Sequence, residues 1–174
     1  MPKINKAYLK FIRMHEEKGN KFHDKIKQFK NFYLPICNTL FKLQKQKKKP
    51  LLVSLSGGQG SGKSTIAHIF KIILEQNFKL KVVKFSIDDF YKTAKERKKM
   101  ASKIHPLFIT RGVPGTHDTK MLYSKIKGLM KKKFNSIKIP KFEKSIDDRL
   151  SQKKWQKIKK RPDIIIFEGW CVGA

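Results

Sequence analysis

Apolar positions recur along this chain with two different spacings, and the switch between them falls at Pro50. Before it, Tyr8, Phe11 and Ile12 share one helical face, and Phe22, Ile26 and Phe29 repeat that spacing. Gly19-Asn20 separates these two helices, and Pro35 opens a third with Ile36, Leu40 and Leu43 inward. That helix runs into Lys45-Gln46-Lys47-Lys48-Lys49-Pro50, which reads as a solvated connector. Residues 1–49 therefore form an N-terminal helical segment whose expected role is packing against the domain after Pro50. Nothing in it suggests catalysis.

After Pro50, strand and helix signals alternate. Residues 51–56 form a short buried-type strand, and 64–76 a helix with Ile66, Ile69, Phe70, Ile73 and Leu74 on one face. A second strand, 81–87, carries Val82, Val83, Phe85 and Ile87. Thr93 with Glu96 makes a capping box that opens a helix to about Ile104, ahead of Pro106. Residues 119–133 give another helix with Met121, Leu122, Ile126, Leu129 and Met130, and 137–142 and 163–168 give further strands. This order predicts an α/β fold with a mainly parallel sheet flanked by helices, spanning residues 50–174. No internal repeat is visible.

Composition narrows the function classes. The chain has 174 residues, which suits a single core domain, and its apolar runs are too short to span a bilayer. Cys37 and Cys171 lie far apart without CxxC spacing, which argues against a disulfide scaffold or zinc ribbon and for a reduced, cytoplasmic setting. The formal net charge of +29 invites a polynucleotide or an anionic membrane. The excess is nearly all Lys, spread along the chain, with only Arg13, Arg97, Arg111, Arg149 and Arg161 of the residue type preferred for base and phosphate recognition. Solvated Lys-rich faces are the simpler reading, and nucleic acid is disfavoured as a partner. With 13 acids against 42 bases, the position of each carboxylate is informative.

Between the first strand and helix lies Gly57-Gly58-Gln59-Gly60-Ser61-Gly62-Lys63-Ser64-Thr65, which fits GxxxxGK[ST]. Such a loop wraps close to a phosphate, so that consecutive N–H groups and the helix N-terminus point at the anion. Lys63 would reach the β/γ oxygens, and the Ser64 hydroxyl would ligate Mg²⁺. ATP and Mg²⁺ are the cofactors this implies.

The second strand ends in Ser86-Ile87-Asp88-Asp89-Phe90-Tyr91, where strand tips face the ligand crevice. One carboxylate of the pair suits a base for a hydroxyl nucleophile. In a strand-like backbone neighbours point to opposite sides, so only one faces the phosphate; a surface turn capped by Asp is the competing reading. The run 163–168 ends in the single acid Glu168, a Walker-B layout in which a strand-tip carboxylate associates with Mg²⁺. In Thr110-Arg111-Gly112-Val113-Pro114-Gly115-Thr116-His117-Asp118, Arg111 suits a small anionic substrate or a phosphate. His117 serves equally as ligand contact or as plain packing, and Asp118 suits an N-cap more than a catalyst. Arg149, after Asp147-Asp148, is a possible phosphate or substrate contact or part of a solvated loop.

These blocks, with His105-Pro106-Leu107-Phe108-Ile109 before Thr110, Phe142-Glu143-Lys144-Ser145, Asp147-Asp148-Arg149 and Phe167-Glu168-Gly169-Trp170, come in the order found in D-glycerate 3-kinase-like P-loop kinases. The sequence resembles that group, relatives of the pantothenate, uridine and phosphoribulokinases, over roughly residues 30–174. One departure is Glu143, where the group usually has Asp. The resemblance implies transfer of the ATP γ-phosphoryl to a primary alcohol of a small hydroxy acid, with D-glycerate the leading acceptor. It implies Asp88 as general base, with Lys63 and Ser64 in their P-loop roles and Glu168 as the Mg²⁺-associated acid. It puts Asp89, Tyr91, Arg111, His117, Asp118 and Arg149 on the substrate side of the cleft. The alternatives are a sister kinase acting on a nucleoside, pantothenate or a sugar phosphate, and a basic nucleic-acid-binding P-loop ATPase. A regulatory module without catalysis is opposed by the intact Lys63, Asp88 and Glu168.

The resemblance also places a lid and an adenine-contacting segment after the Glu168 strand. The expectation is therefore a C-terminally incomplete kinase core, marginally stable and weakly active, with an exposed apolar edge around 164–167.

Overall fold

Helix α1 (Lys6–Glu16) starts where the Asn5 side chain accepts a hydrogen bond from the Tyr8 amide, an N-cap that satisfies one of the helix's open donors. The computed structural model describes residues 4–173. After Gly19 the chain continues as α2 (Lys25–Gln28), a π-helical stretch (Phe29–Tyr33) and α3 (Leu34–Gln46). These run on without a break, since Gln28 and Tyr33 both keep right-handed helical angles. The expected separation at Pro35 is replaced by a wider π turn just ahead of the proline, whose ring and missing amide disrupt a tight helical ladder. The inward face of α3 also differs from expectation. Ile36 and Leu43 are exposed, as is Ile26 earlier in the chain, while Cys37 is buried and Leu40 and Phe41 pack against the core. Phe41 turns inward because it meets the Phe78 ring at 4.9 Å.

Three parallel strands make the central sheet: β1 (Leu51–Ser56), β2 (Val82–Ser86) and β7 (Ile164–Gly169), in the order β1-β7-β2. The expected apolar edge at 164–167 is overturned by this order. Ile164, Ile165 and Ile166 are fully buried and Phe167 is 8% exposed, because their strand sits between the other two. An apolar run without alternation is what a strand covered on both faces requires. On one face Ile164 and Ile166 join Ile69, Phe70, Ile73 and Leu74 of α4 (Lys63–Gln76), together with Tyr8, Phe11, Ile12 and Phe29 of the N-terminal helices. On the other, Ile165 and Phe167 join Phe85, Phe90 and Leu129. The N-terminal segment thus packs onto α4 through one continuous core.

Helix α5 (Ala94–Lys103) opens on the Thr93–Glu96 capping box, and α6 (Thr119–Met130) is capped by the Asp118 carboxylate. The stretch 137–142, expected as one strand, splits in two. Strand β3 (Ile137–Ile139) pairs antiparallel with β6 (Gln156–Ile158), and β4 (Phe142–Glu143) pairs antiparallel with β5 (Asp148–Arg149). Pro140 lies between the two pieces and offers no amide to a ladder, so the pairing partner changes there. The parallel sheet is accordingly three-stranded, with two small antiparallel ribbons beside it. Among the described residues, no helix is long and apolar enough to cross a membrane.

Candidate active site

The three parallel strands finish level with one another. Ser56 pairs with Gly169, and Ser86 pairs with Glu168, so residues far apart in sequence meet along one crest. From β1 the chain enters the glycine loop, where Gly60 and Gly62 both take φ +79, a left-handed conformation that side chains resist. Gly62 then serves as N-cap of α4, which begins at Lys63. The Lys63 ammonium lies over the loop and donates to the Gly58 carbonyl at 3.1 Å.

Behind the loop, the Ser64 hydroxyl donates to Glu168 Oε1 at 2.8 Å. Glu168 is 3% exposed, and its other oxygen, Oε2, is buried with no hydrogen-bond partner. A buried carboxylate with an unsatisfied oxygen beside a hydroxyl is a donor set in need of a cation. Among the described residues no group of three or more His, Cys, Asp or Glu side chains is placed to hold a metal. Mg²⁺ is ordinarily held by one or two carboxylates together with substrate phosphates, and Glu168 with Ser64 offers such a pair of oxygens. The residues present fit the ion.

The acid pair does not lie in a strand. β2 ends at Ser86, and Ile87–Phe90 is a 3₁₀ turn. The Ser86 hydroxyl accepts from the Asp88 amide at 3.2 Å, and the Asp89 carboxylate accepts from the Ser86 amide at 3.2 Å, closing a capping box. Asp89 points inward, where it also accepts from the Phe142 amide and pairs with Lys141 at 2.9 Å. Asp88 points outward into the cleft, paired with the exposed Lys144 at 3.1 Å. A 3₁₀ turn rather than strand alternation holds the pair: Asp88 lines the cleft, and both carboxylates border the neighbouring cavity beside Lys141 and Lys144.

Three more of the expected substrate residues stand one layer behind the cleft. The His117 ring stacks on Tyr91 at 4.1 Å, with its Nε2 buried and unpartnered, and burial lowers its pKa. Asp118 caps α6, and its amide donates to the Phe90 carbonyl at 2.7 Å. Arg149 donates twice to the Tyr91 carbonyl and lies 3.6 Å from Asp118. These side chains brace the Asp88 turn; they do not line the cleft. Tyr91 does line it, and burial raises its phenol pKa.

The cleft itself has a volume of about 940 Å³, and Gly58, Gln59, Gly60, Lys63 and Ser64 form its loop side. Gly57, Ser61, Gly62 and Thr65 shape the loop without lining that space. Arg111 faces the opposite wall, its Nε 2.7 Å from Asp147, whose other contact is the fully buried Arg97 at 2.8 Å. Both guanidinium groups stack over Phe142. Lys144, Asp147 and Trp170 also line the cleft, and the sequence singled out none of them as a site residue. Trp170 directly follows the Glu168-Gly169 strand tip, a position that could have flagged it. Asp147 and Lys144 likewise stand in blocks that carry the family resemblance, which could have flagged them.

A three-stranded parallel core with a phosphate loop on its first strand and a carboxylate at the tip of its central one defines a P-loop nucleotide-binding protein. The chain belongs to the Phosphoribulokinase / Uridine kinase family, whose model matches residues 52–172. It is 37% identical over 145 residues to the uncharacterized kinase mug58 of Schizosaccharomyces pombe, covering 79% of this chain and 52% of that protein. It is 29% identical over 160 residues to the chloroplastic D-glycerate 3-kinase of Arabidopsis thaliana, covering 82% of this chain and 35% of that one. A solved D-glycerate 3-kinase from Cryptococcus neoformans var. grubii superposes with a TM-score of 0.67 at 27% identity, over 87% of this chain and 54% of its own. The chain spans about half the length of mug58 and of that solved kinase, and about a third of the Arabidopsis protein.

Proposed function

We propose that the protein is an ATP- and Mg²⁺-dependent kinase that transfers the γ-phosphoryl to a hydroxyl of a small anionic acceptor, with D-glycerate the leading candidate. One observation carries the reading: Asp88 stands on the cleft wall and shares the cleft with Lys63, Ser64 and Glu168. The D-glycerate 3-kinase names of the Arabidopsis and Cryptococcus relatives support glycerate as the acceptor to test first.

In this reading the loop amides and the N-terminus of α4 hold the ATP phosphates, and Lys63 leaves the Gly58 carbonyl to meet the β/γ oxygens. Ser64 and Glu168 would hold Mg²⁺, which when bound neutralises charge on the phosphate oxygens. Asp88 accepts the proton of the acceptor hydroxyl as that oxygen attacks phosphorus and the bond to the ADP leaving group breaks. Arg111, steadied by Asp147, stabilises charge on the transferring group or the acceptor. Asp89, His117, Asp118 and Arg149 act through the backbone of the Asp88–Tyr91 segment. A cytoplasmic setting belongs to the same proposal, supported by the free thiols of Cys37 and Cys171.

The test is an acceptor panel with radiolabelled ATP, containing D-glycerate, uridine, pantothenate and ribulose 5-phosphate. Label is expected in phosphoglycerate. Preferential labelling of one of the other three would replace the acceptor. Label in none, with ATPase activity stimulated by DNA or RNA, would replace the reaction class.

A further inference from the structure

Beyond the outer edge of β2, a second cavity of about 560 Å³ opens between α4 and the antiparallel ribbons. It shares Ser64, Asp88 and Glu168 with the main cleft, so the two spaces are lobes of one site meeting at the reacting row. Its far wall carries His68 and Lys71 of α4, Lys84 of β2 and Lys141, the last neutralised by the Asp89 carboxylate that also lines the cavity.

The cations differ in one respect. Lys71 is bonded to Glu75 and to the Val82 carbonyl, Lys141 to Asp89, and Lys144 at the junction to Asp88. Lys84 is half-buried and, among the described residues, makes no hydrogen bond or ion pair. Its surroundings are hostile to a lone charge. Burial lowers its pKa against the pull of Glu168, and burial with Lys84 and Lys71 nearby lowers that of His68. A half-buried ammonium without a partner is unfavourable unless an anion joins it. Asp89 and Asp88 already have lysines of their own, and Glu168 faces Ser64 and the position fitted for the metal.

Resting on the acceptor reading above, we propose that Lys84 binds the carboxylate of the acceptor in this second lobe. The nucleotide then occupies the loop side of the main cleft, and the acceptor lies across Asp88 with its hydroxyl at the junction and its anionic end against Lys84. Lys84 is on this account a specificity residue: it selects an anionic hydroxy acid over a neutral polyol or nucleoside. The position is offset from Arg111, which stands at the other end of the site beside Asp147.

Calorimetric titration of the full chain with D-glycerate, in the presence of Mg²⁺ and a non-hydrolysable ATP analogue, tests this. In Lys84→Met, D-glycerate affinity is expected to fall tenfold or more, while the analogue's dissociation constant stays within twofold of wild type. Lys84→Arg should retain most of the affinity, and Lys84→Gln, which keeps a polar head, gives a second reading if the Met variant folds poorly. Unchanged D-glycerate affinity in the Met or Gln variant would overturn the assignment of Lys84 and leave the acceptor reading standing. Equal losses for D-glycerate and the Mg²⁺-loaded analogue would also overturn it, making Lys84 a partner of Glu168. No D-glycerate binding by wild type would overturn the acceptor reading and this inference together.

Discussion

The Arg149 guanidinium donates two hydrogen bonds, at 3.0 and 2.6 Å, to the carbonyl of Tyr91, three residues past the proposed base. The arginine side chain is 7% exposed and lies 3.6 Å from Asp118, the N-cap of α6. One side chain therefore ties the β4–β5 ribbon, the Asp88 turn and a helix start together. Arg149→Leu would strand the carbonyl and leave the Asp118 carboxylate with only the Met121 amide. The expected loss is about 2–4 kcal/mol, read as a lower denaturant midpoint, with nucleotide affinity of the remaining folded protein little changed. Arg149→Lys cannot reproduce the forked contact and should fall between the two. A Leu variant as stable as wild type would remove the bracing role.

Asp88 and Asp89 should separate cleanly by substitution. Asp88→Asn is expected to leave melting and ATP binding near wild type and to reduce phosphoryl transfer by about 10²–10⁴-fold, the usual contribution of a positioned base. Asp89→Asn keeps an acceptor for only one of the Ser86 and Phe142 amides and loses the charge paired with Lys141, so its first effect is on stability, about 1–3 kcal/mol. An inactive but fully stable Asp89→Asn beside an active Asp88→Asn would reverse the roles.

Glu168→Gln tests the cation corner by two opposite responses. Without nucleotide the variant should be as stable as wild type or about 1–2 kcal/mol more so, because a buried charge with an unpartnered oxygen has gone. The Mg²⁺-dependent part of ATP-induced thermal stabilisation should shrink sharply. Equal Mg²⁺-dependent shifts in the two proteins would remove Glu168 from the metal.

Alkaline pH probes the helical layer. Burial pushes the Cys37 thiol from its ordinary 9.0 up to about 12. Below pH 9 the thiol is protonated in both folded and unfolded chains, so its contribution to stability is fully present. Between pH 9 and about 12 only the unfolded chain releases that proton, and stability is lost as pH rises. Tyr8, raised from 10.0 to about 12 chiefly by burial, acts in the same direction. Cys37→Ala should start less stable at pH 7 because of its cavity, yet show a shallower fall above pH 9 in denaturant titrations. Parallel slopes in the two proteins would contradict this.

The phosphate loop and Glu168 were legible because each pairs a local motif with a strand ending, and strand endings follow from short apolar runs. The direction of Asp88 was less legible: strand alternation was the expected cause, whereas a 3₁₀ turn closed by Ser86 sets the pair, with Asp88 on Lys144 and Asp89 on Lys141. Placing His117, Asp118 and Arg149 was harder. Their functions depend on the bridge between Tyr91 and His117 and on the fold-back of β5, contacts between segments 26 to 58 positions apart with no periodic signature. The same limit explains the split of 137–142, where Pro140 interrupts a run of otherwise good strand formers. Strand order is likewise invisible to local pattern. The run 164–167 is equally apolar at an edge or at the centre, and only the pairing of its neighbours decides.

That β7 lies between β1 and β2 has a consequence for how the molecule is made. The first two strands touch β7 and not each other, so neither has a sheet partner until a segment more than a hundred positions downstream of β1 has been synthesised. During translation the glycine loop and Asp88 emerge early but stay on unpaired strands, and the long loop closures fall in one late step. The helical layer over α4 is built from residues made before the strands and offers the nascent chain an apolar surface to hold before the sheet exists. Assembly of the phosphate site and joining of β1 to β2 are then the same event, timed by the arrival of Ile164–Gly169.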